Sequence, residues 1–267
     1  RFRERGRLMS LTPGFRRWRG PLIAVLILGL AFVARVIHSG YASEMNEFAS
    51  VPSGPMVATP EAAGVAGLTN IRFQPHGEGP PVADWYAPSR NGAAVLVTHG
   101  TNSERTTMLA ETRLLAAAGF GVLAFDWPGY GASPGINNWG PSARAALVGA
   151  VDWLIAEQHI DAARIGGFGF SMGGYVMTQV AASDPRLHAV VLAAPVPDVV
   201  WQTQYEHGKW GALSRWPARY ALRHSGMPID DEQPISAVSR IAPRPLLLIA
   251  GADDRTVPAD KLREMFE

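Results

Sequence analysis

Arg164-Ile165-Gly166-Gly167-Phe168-Gly169-Phe170-Ser171-Met172-Gly173-Gly174 is the stretch whose reading decides the fold. It reads as a strand that turns sharply into a helix, with Ser171 at the turn. Gly169 and Gly173 flank the serine in the pattern G-x-S-x-G, and the spacing has a steric reason. A residue forced into so tight a turn takes a strained backbone angle, and its neighbours two positions away come close together, so side chains there would clash. The turn lifts the hydroxyl above the sheet edge. It also leaves the amide of Met172 at a helix N-terminus, where the partial positive charge favours a developing oxyanion.

On either side of this stretch the chain alternates between apolar runs and helical segments. Strands are predicted at 71–74, 82–87, 93–98, 121–125, 164–170, 189–194 and 245–250. Helices are predicted at 107–118, 142–157 and 172–182. Ala93–Thr98 is continuously apolar, as a buried parallel strand should be. The alternation predicts an α/β fold: a mostly parallel sheet covered by helices on both faces. Ligands on such sheets bind at the carboxyl ends of the strands. One interval breaks the rhythm. Residues 197–240 carry Trp201, Tyr205, Trp210, Trp216, Tyr220 and Met227. A structureless loop of that length is improbable, so they are read as a helical cap inserted into the domain. Its aromatics serve as packing onto the body or as an apolar wall over a substrate.

The polar motifs fall at strand ends. His99-Gly100-Thr101 follows the third strand, where the Thr101 amide can supply a second oxyanion donor opposite Met172 and His99 shapes the loop. Asp126-Trp127-Pro128-Gly129-Tyr130-Gly131-Ala132-Ser133 follows the fourth, with Asp126 holding the turn by bonds to backbone. Gly251-Ala252-Asp253-Asp254-Arg255-Thr256-Val257-Pro258 follows the last strand and offers a carboxylate after the nucleophile. Two adjacent aspartates stand there, and Asp198 is a weaker alternative.

In order and spacing, His99-Gly100, Asp126-x-x-Gly129-x-Gly131-x-Ser133, Gly169-Phe170-Ser171-Met172-Gly173 and Gly251-x-x-Asp254-x-x-Val257-Pro258 resemble the α/β-hydrolase superfamily over residues 70–260. They are similar in particular to its capped serine esterases, lysophospholipase-like enzymes and serine aminopeptidase-like members. The resemblance implies Ser171 as nucleophile, Asp254 as the acid that orients a histidine, and Thr101 and Met172 as oxyanion donors. It implies cleavage of a carboxylic ester or related acyl bond through an acyl-enzyme, ester ahead of peptide, with a small-molecule substrate and neither cofactor nor metal. The serine at the elbow sets the chain apart from related enzymes that carry aspartate there.

One departure stands against this match. Chain order in the family is Ser, acid, His, yet none of the seven histidines (38, 76, 99, 159, 188, 207 and 224) follows Asp254. The expectation is that the base belongs to a C-terminal helix and strand beyond Glu267, and that the 267-residue chain alone is inactive. His207 and His224 are the substitutes within it. The alternative function is a non-catalytic binding or anchoring protein on the same fold.

Composition bounds the rest. With 267 residues, 47% hydrophobic, the chain can bury a sizeable core. It has no cysteine, which excludes disulfides and thiolate chemistry. The net charge of +1 averages two unlike regions: residues 1–42 hold eight arginines and one acid, while the remainder carries a net charge of −6. A mildly acidic body argues against nucleic acid as a partner. Residues 1–42 read as a signal peptide or membrane anchor. An arginine-rich stretch precedes the apolar run Leu22–Ala34, Arg35 interrupts it, and Gly40-Tyr41-Ala42 offers a cleavage site. Either reading places the body outside the cytoplasm, with the membrane as a partner if the segment stays uncleaved. Residues 43–67, rich in Ala, Ser, Pro and Gly, read as a linker to a hydrolase-like domain over 68–267.

Overall fold

The computed structural model describes residues 13–49, 59–136 and 138–266. After the N-terminal helix α1 (Pro13–Ala49) come β1 (Thr69–Phe73), β2 (Val82–Ala87), β3 (Ala94–Thr98), α2 (Leu109–Ala117), β4 (Gly121–Phe125), α3 (Pro141–Ala156), β5 (Ile165–Phe170), α4 (Met172–Ala181) and β6 (Leu187–Ala193). Helices α5 (Val199–Glu206), α6 (Ala212–His224) and α7 (Pro234–Ala237) then precede β7 (Leu246–Ile249) and α8 (Ala259–Arg263). The seven strands form one sheet in the order β1-β2-β4-β3-β5-β6-β7. β1, β2 and β4 pair antiparallel, and every other pairing is parallel.

Period-two alternation sorts the strand residues between two cores. Leu96, Leu123, Phe125, Ile165 and Leu192 face α3 and α4, among Leu147, Leu154, Val176 and Val180. Val97, Val122, Ala124 and Trp85 face the other way, toward Met108 and Leu109 at the start of α2. Both faces are covered, which is why the central strands have no polar alternation to show. α4 contacts the sheet so closely that a Cβ on Gly167 would overlap the Met177 side chain.

The strand order explains where the site must be. From β3 the chain steps to β4 on one side, and later to β5 on the other. The order therefore reverses at β3, and a crevice opens beyond the carboxyl ends of β3 and β5. Those ends carry His99-Gly100-Thr101 and Ser171.

Between β6 and β7 the regular elements are all helical: α5, α6, α7 and two short 3-10 turns. The N-terminal segment differs from the linker expected over 43–67. Residues 43–49 are the last turns of α1, 50–58 lie outside the described residues, and 59–67 run in turns. The cause is tertiary packing: α1 lies along α6. A Cβ on Gly40 would stand 2.5 Å from the Ser214 carbonyl oxygen. Phe32 meets Trp210 edge-on at 5.1 Å, and Tyr41 reaches Tyr220 at 6.2 Å. The proposed cleavage site Gly40-Tyr41-Ala42 is inside this packed helix. By contrast Leu22, Ile23, Leu26, Leu28 and Leu30 are exposed.

Candidate active site

Ser171 caps α4 with φ 52° and ψ −117°. A side chain at positive φ is strained, and three backbone bonds hold it there. The Ser171 N–H donates to the Ala193 carbonyl at 2.9 Å. The Ser171 carbonyl accepts from Tyr175 N–H at 3.0 Å and from Val196 N–H at 3.4 Å. The flanking glycines have no room for a side chain: a Cβ on Gly169 would lie 2.7 Å from the Gly173 oxygen, and one on Gly173 would lie 2.6 Å from Thr98 Oγ1.

The loop after β3 is pressed against the serine, since a Cβ on Gly100 would be 3.1 Å from Ser171 Cβ. His99 is fully buried beneath that loop. Its Nε2 accepts the Trp127 N–H at 3.3 Å, so Nδ1 carries the proton, 2.7 Å from the Gly100 carbonyl. Burial pushes its pKa down to about 4, against the opposing pull of the Gly100 bond. Both ring nitrogens are spent on backbone, so His99 shapes the loop.

Asp126, also fully buried, accepts the Arg105 N–H and the Ala132 N–H, each at 2.8 Å, and pairs with the Arg105 guanidinium. It ties the loops after β3 and β4 together. Tyr130 on the second of these reaches Met172 Sδ at 3.3 Å. Burial raises the Asp126 pKa, while Arg105 works against the rise.

A cavity of about 40 Å³ opens over Ser171. Thr101, Trp139, Val196, Met227 and Thr256 contribute to its wall, together with three groups the sequence did not single out: Glu44, Gln202 and Glu206. Asp254 shapes the loop that delivers Thr256, its Oδ1 accepting the N–H groups of Thr256 at 2.8 Å and Val257 at 2.9 Å. The residues brought together are thus Ser171, Thr101 and the Asp254 loop, with Met172 at the helix start beside them. No histidine is part of the described lining. His207 pairs through Nε2 with Glu44 at 2.9 Å, and His224 stacks on Tyr220.

Glu44 is 3% exposed although it belongs to α1. The Gln202 amide donates to Glu206 at 2.6 Å and to the Thr256 carbonyl at 2.7 Å. Glu206 forms part of the cavity wall while the residue as a whole keeps solvent exposure. Its pKa is raised, first by desolvation and then by the charge of Glu44. Nothing in the local sequence marks Glu44, because its partners are 160 residues away.

The serine aminopeptidase (S33) family model matches residues 89–226, more than half of the chain, from the loop before β3 through α6. The chain belongs to this family of α/β hydrolases. A Mycobacterium tuberculosis protein of uncharacterized function is 29% identical over 244 residues, 90% of this chain and 79% of the relative. In structure the chain is similar to a Pyrococcus furiosus esterase (TM-score 0.66, 22% identity, covering 81% of this chain and 82% of the esterase). It is also similar to a bacterial membrane phospholipase A (TM-score 0.54, 20% identity, covering 92% and 87%). At these identities the two structural likenesses speak for the fold. The protein is a hydrolase of the S33 family.

Proposed function

We propose that this S33 hydrolase is a serine hydrolase that cleaves a carboxylic ester or related acyl bond. The observation that carries this is the strained Ser171 at the β5–α4 junction, facing one cavity with Thr101 and Thr256. Backbone is held at positive φ against its own preference where a function needs it. In the proposed reaction Ser171 Oγ attacks the acyl carbon and gives up its proton to a histidine. The carbonyl oxygen becomes an oxyanion received by the N–H groups of Met172 and Thr101. The imidazolium returns the proton to the leaving alcohol, and water then releases the acyl group by the reverse sequence. Asp254 orients the imidazole. Family order puts that histidine after Asp254, and β7, which pairs only with β6 among the described residues, has an edge that suits a further strand leading to it. Ester cleavage is taken ahead of amide cleavage, and the two are separated by the substrate panel below.

We further propose that α1 is an uncleaved anchor and that the body lies outside the cytoplasm. Gly20–Asn46 is long and apolar enough to cross a bilayer, with a peak mean hydropathy of 2.4 and only 6% of that window buried. Its far end packs on the cap through Gly40, Tyr41 and Glu44, which supports retention. The test is hydrolysis of acyl esters of graded length and of aminoacyl amides by protein carried through its natural C-terminus. Ser171→Ala should lower kcat by roughly 10³-fold or more with KM little changed. Unchanged turnover would sink the assignment.

A further inference from the structure

The part of the cap beside α1 has a composition unlike the rest of the body. Across residues 205–224 the only acid is Glu206, while Lys209, Arg215, Arg219 and Arg223 are basic. Arg223 pairs with Asp230. Arg215 and Arg219 are exposed and have no ion-pair partner among the described residues. Among these bases stand large apolar side chains left in solvent: Trp216 is 77% exposed, Trp210 47% and Leu213 44%. Lys209 lies 5.9 Å from the centre of the Trp210 ring. Exposed tryptophan interleaved with unpaired arginine is the composition of a surface that sits among lipid headgroups.

The packing of α1 fixes where this edge must be. Phe32 to Trp210, Gly40 to Ser214 and Tyr41 to His224 show that α1 and α6 run in the same direction. The first turns of α6 therefore lie at the end of the cap nearest the apolar run. Phe32 belongs to that run, two residues before its end at Ala34, or about 3 Å along the axis. Leu22–Ala34 covers about 20 Å of axis, short of a hydrocarbon core of about 30 Å, so a bilayer that takes up α1 reaches the turns packed on the cap and brings Trp210, held against Phe32, to lipid. Glu44, in the Ser171 cavity wall, stands about 15 Å farther from the end of the run. A groove of about 580 Å³ between α5 and α6, lined by Val200, Arg215, Trp216, Arg219 and Tyr220, begins at this edge. It shares Thr203 and Leu222 with the Ser171 cavity.

We infer that this edge of the cap, Lys209–Arg219, docks on the headgroup layer of an anionic bilayer. Trp210, Leu213 and Trp216 enter the interface, Arg215 and Arg219 pair with lipid phosphates, and the groove behind them opens onto the membrane. The occupant is lipid because the edge is continuous with the apolar run of α1 and opposite in charge to anionic headgroups. The inference rests on the anchor reading of α1, and the experiment separates the two.

The chain has no cysteine, so single cysteines introduced as Leu26→Cys, Leu213→Cys and Glu157→Cys give one labelled site each. The full chain is labelled with an environment-sensitive fluorophore and reconstituted into vesicles of phosphatidylcholine with phosphatidylglycerol, with brominated lipid as quencher. Leu26 reports the anchor. Glu157, at the amino ends of the strands, is the distant control. The expected result is strong quenching at 26, intermediate quenching at 213 and none at 157. Quenching at 213 should fall in phosphatidylcholine alone and in Arg215→Glu/Arg219→Glu, on the order of 5-fold in docked population per charge lost. Quenched 26 with unquenched 213 overturns the docking and leaves the anchor standing. Unquenched 26 overturns both. Quenching at 213 that ignores lipid charge and the arginine reversal refutes the phosphate pairing, and with it docking on an anionic surface.

Discussion

Replacing Ser171 by glycine should make the protein more stable while abolishing turnover. The serine is held at φ 52° and ψ −117°. Such backbone costs a residue with a Cβ about 1–3 kcal/mol, and glycine relaxes that cost. Against it stands the extra freedom glycine gives the unfolded chain, about 0.4–1 kcal/mol. The balance is a gain of about 1 kcal/mol, or roughly 2–4 °C in Tm for a domain of this size. Ser171→Ala is the reference, because it removes the same hydroxyl but keeps the Cβ and its strain. The assay is thermal unfolding of the three proteins in one detergent, followed by circular dichroism. Glycine should melt above alanine. A glycine variant that melts at or below the alanine variant would refute the claim that strain is stored at this turn.

Other substitutions test the frame around it. Gly173→Ala places a Cβ 2.6–2.8 Å from Thr98 Oγ1 and the carbonyls of Thr98 and His99, and should cost about 1–3 kcal/mol by overpacking. Gly208→Ala, with open space around it, should change stability by less than about 0.5 kcal/mol in the same melts. Arg105→Ala leaves the buried Asp126 carboxylate without its cation and should cost about 3–5 kcal/mol in urea unfolding; a loss below about 1 kcal/mol would contradict the pairing. Asp84, buried with neither carboxylate oxygen hydrogen-bonded, has its pKa raised well above 3.8 by burial and then by Asp126. A raised folded pKa stabilises at low pH, and that contribution is lost as pH rises through it. Asp84→Asn should therefore gain stability over wild type increasingly as pH rises above about 4, where the unfolded carboxylate ionises and the buried one does not. A pH-independent difference would mean that Asp84 does not titrate in that window.

Much of this architecture could be read in the sequence because it is local. Short apolar runs such as Ala94–Thr98 and Gly121–Phe125, bounded by turn residues, have the length of buried strands, and the glycines around Ser171 mark one backbone shape. His99 and Asp126 took the structural parts read for them because both stand directly after strands, where a buried polar side chain finds loop amides. What local pattern could not show is the meeting of distant segments. Residues 43–49 have the composition of a linker and become helix because Gly40, Tyr41 and Glu44 dock on the cap. Glu44 and His207 are polar residues on two exposed-looking stretches, and only the packing of α1 on the cap brings them together, with Glu44 buried and His207 half-buried. Gln202 and Glu206 join the Ser171 cavity because α5 meets the loop after β7, where the Gln202 amide donates to the Thr256 carbonyl.

The measurement that bears most directly on the account is active-site labelling with a fluorophosphonate, on protein carried through its natural C-terminus. Intact mass should rise by one adduct, digestion should locate it on the peptide containing Ser171, and Ser171→Ala should remain unlabelled. An adduct on another serine, or ester turnover by protein that never takes the label, would contradict Ser171 as the nucleophile.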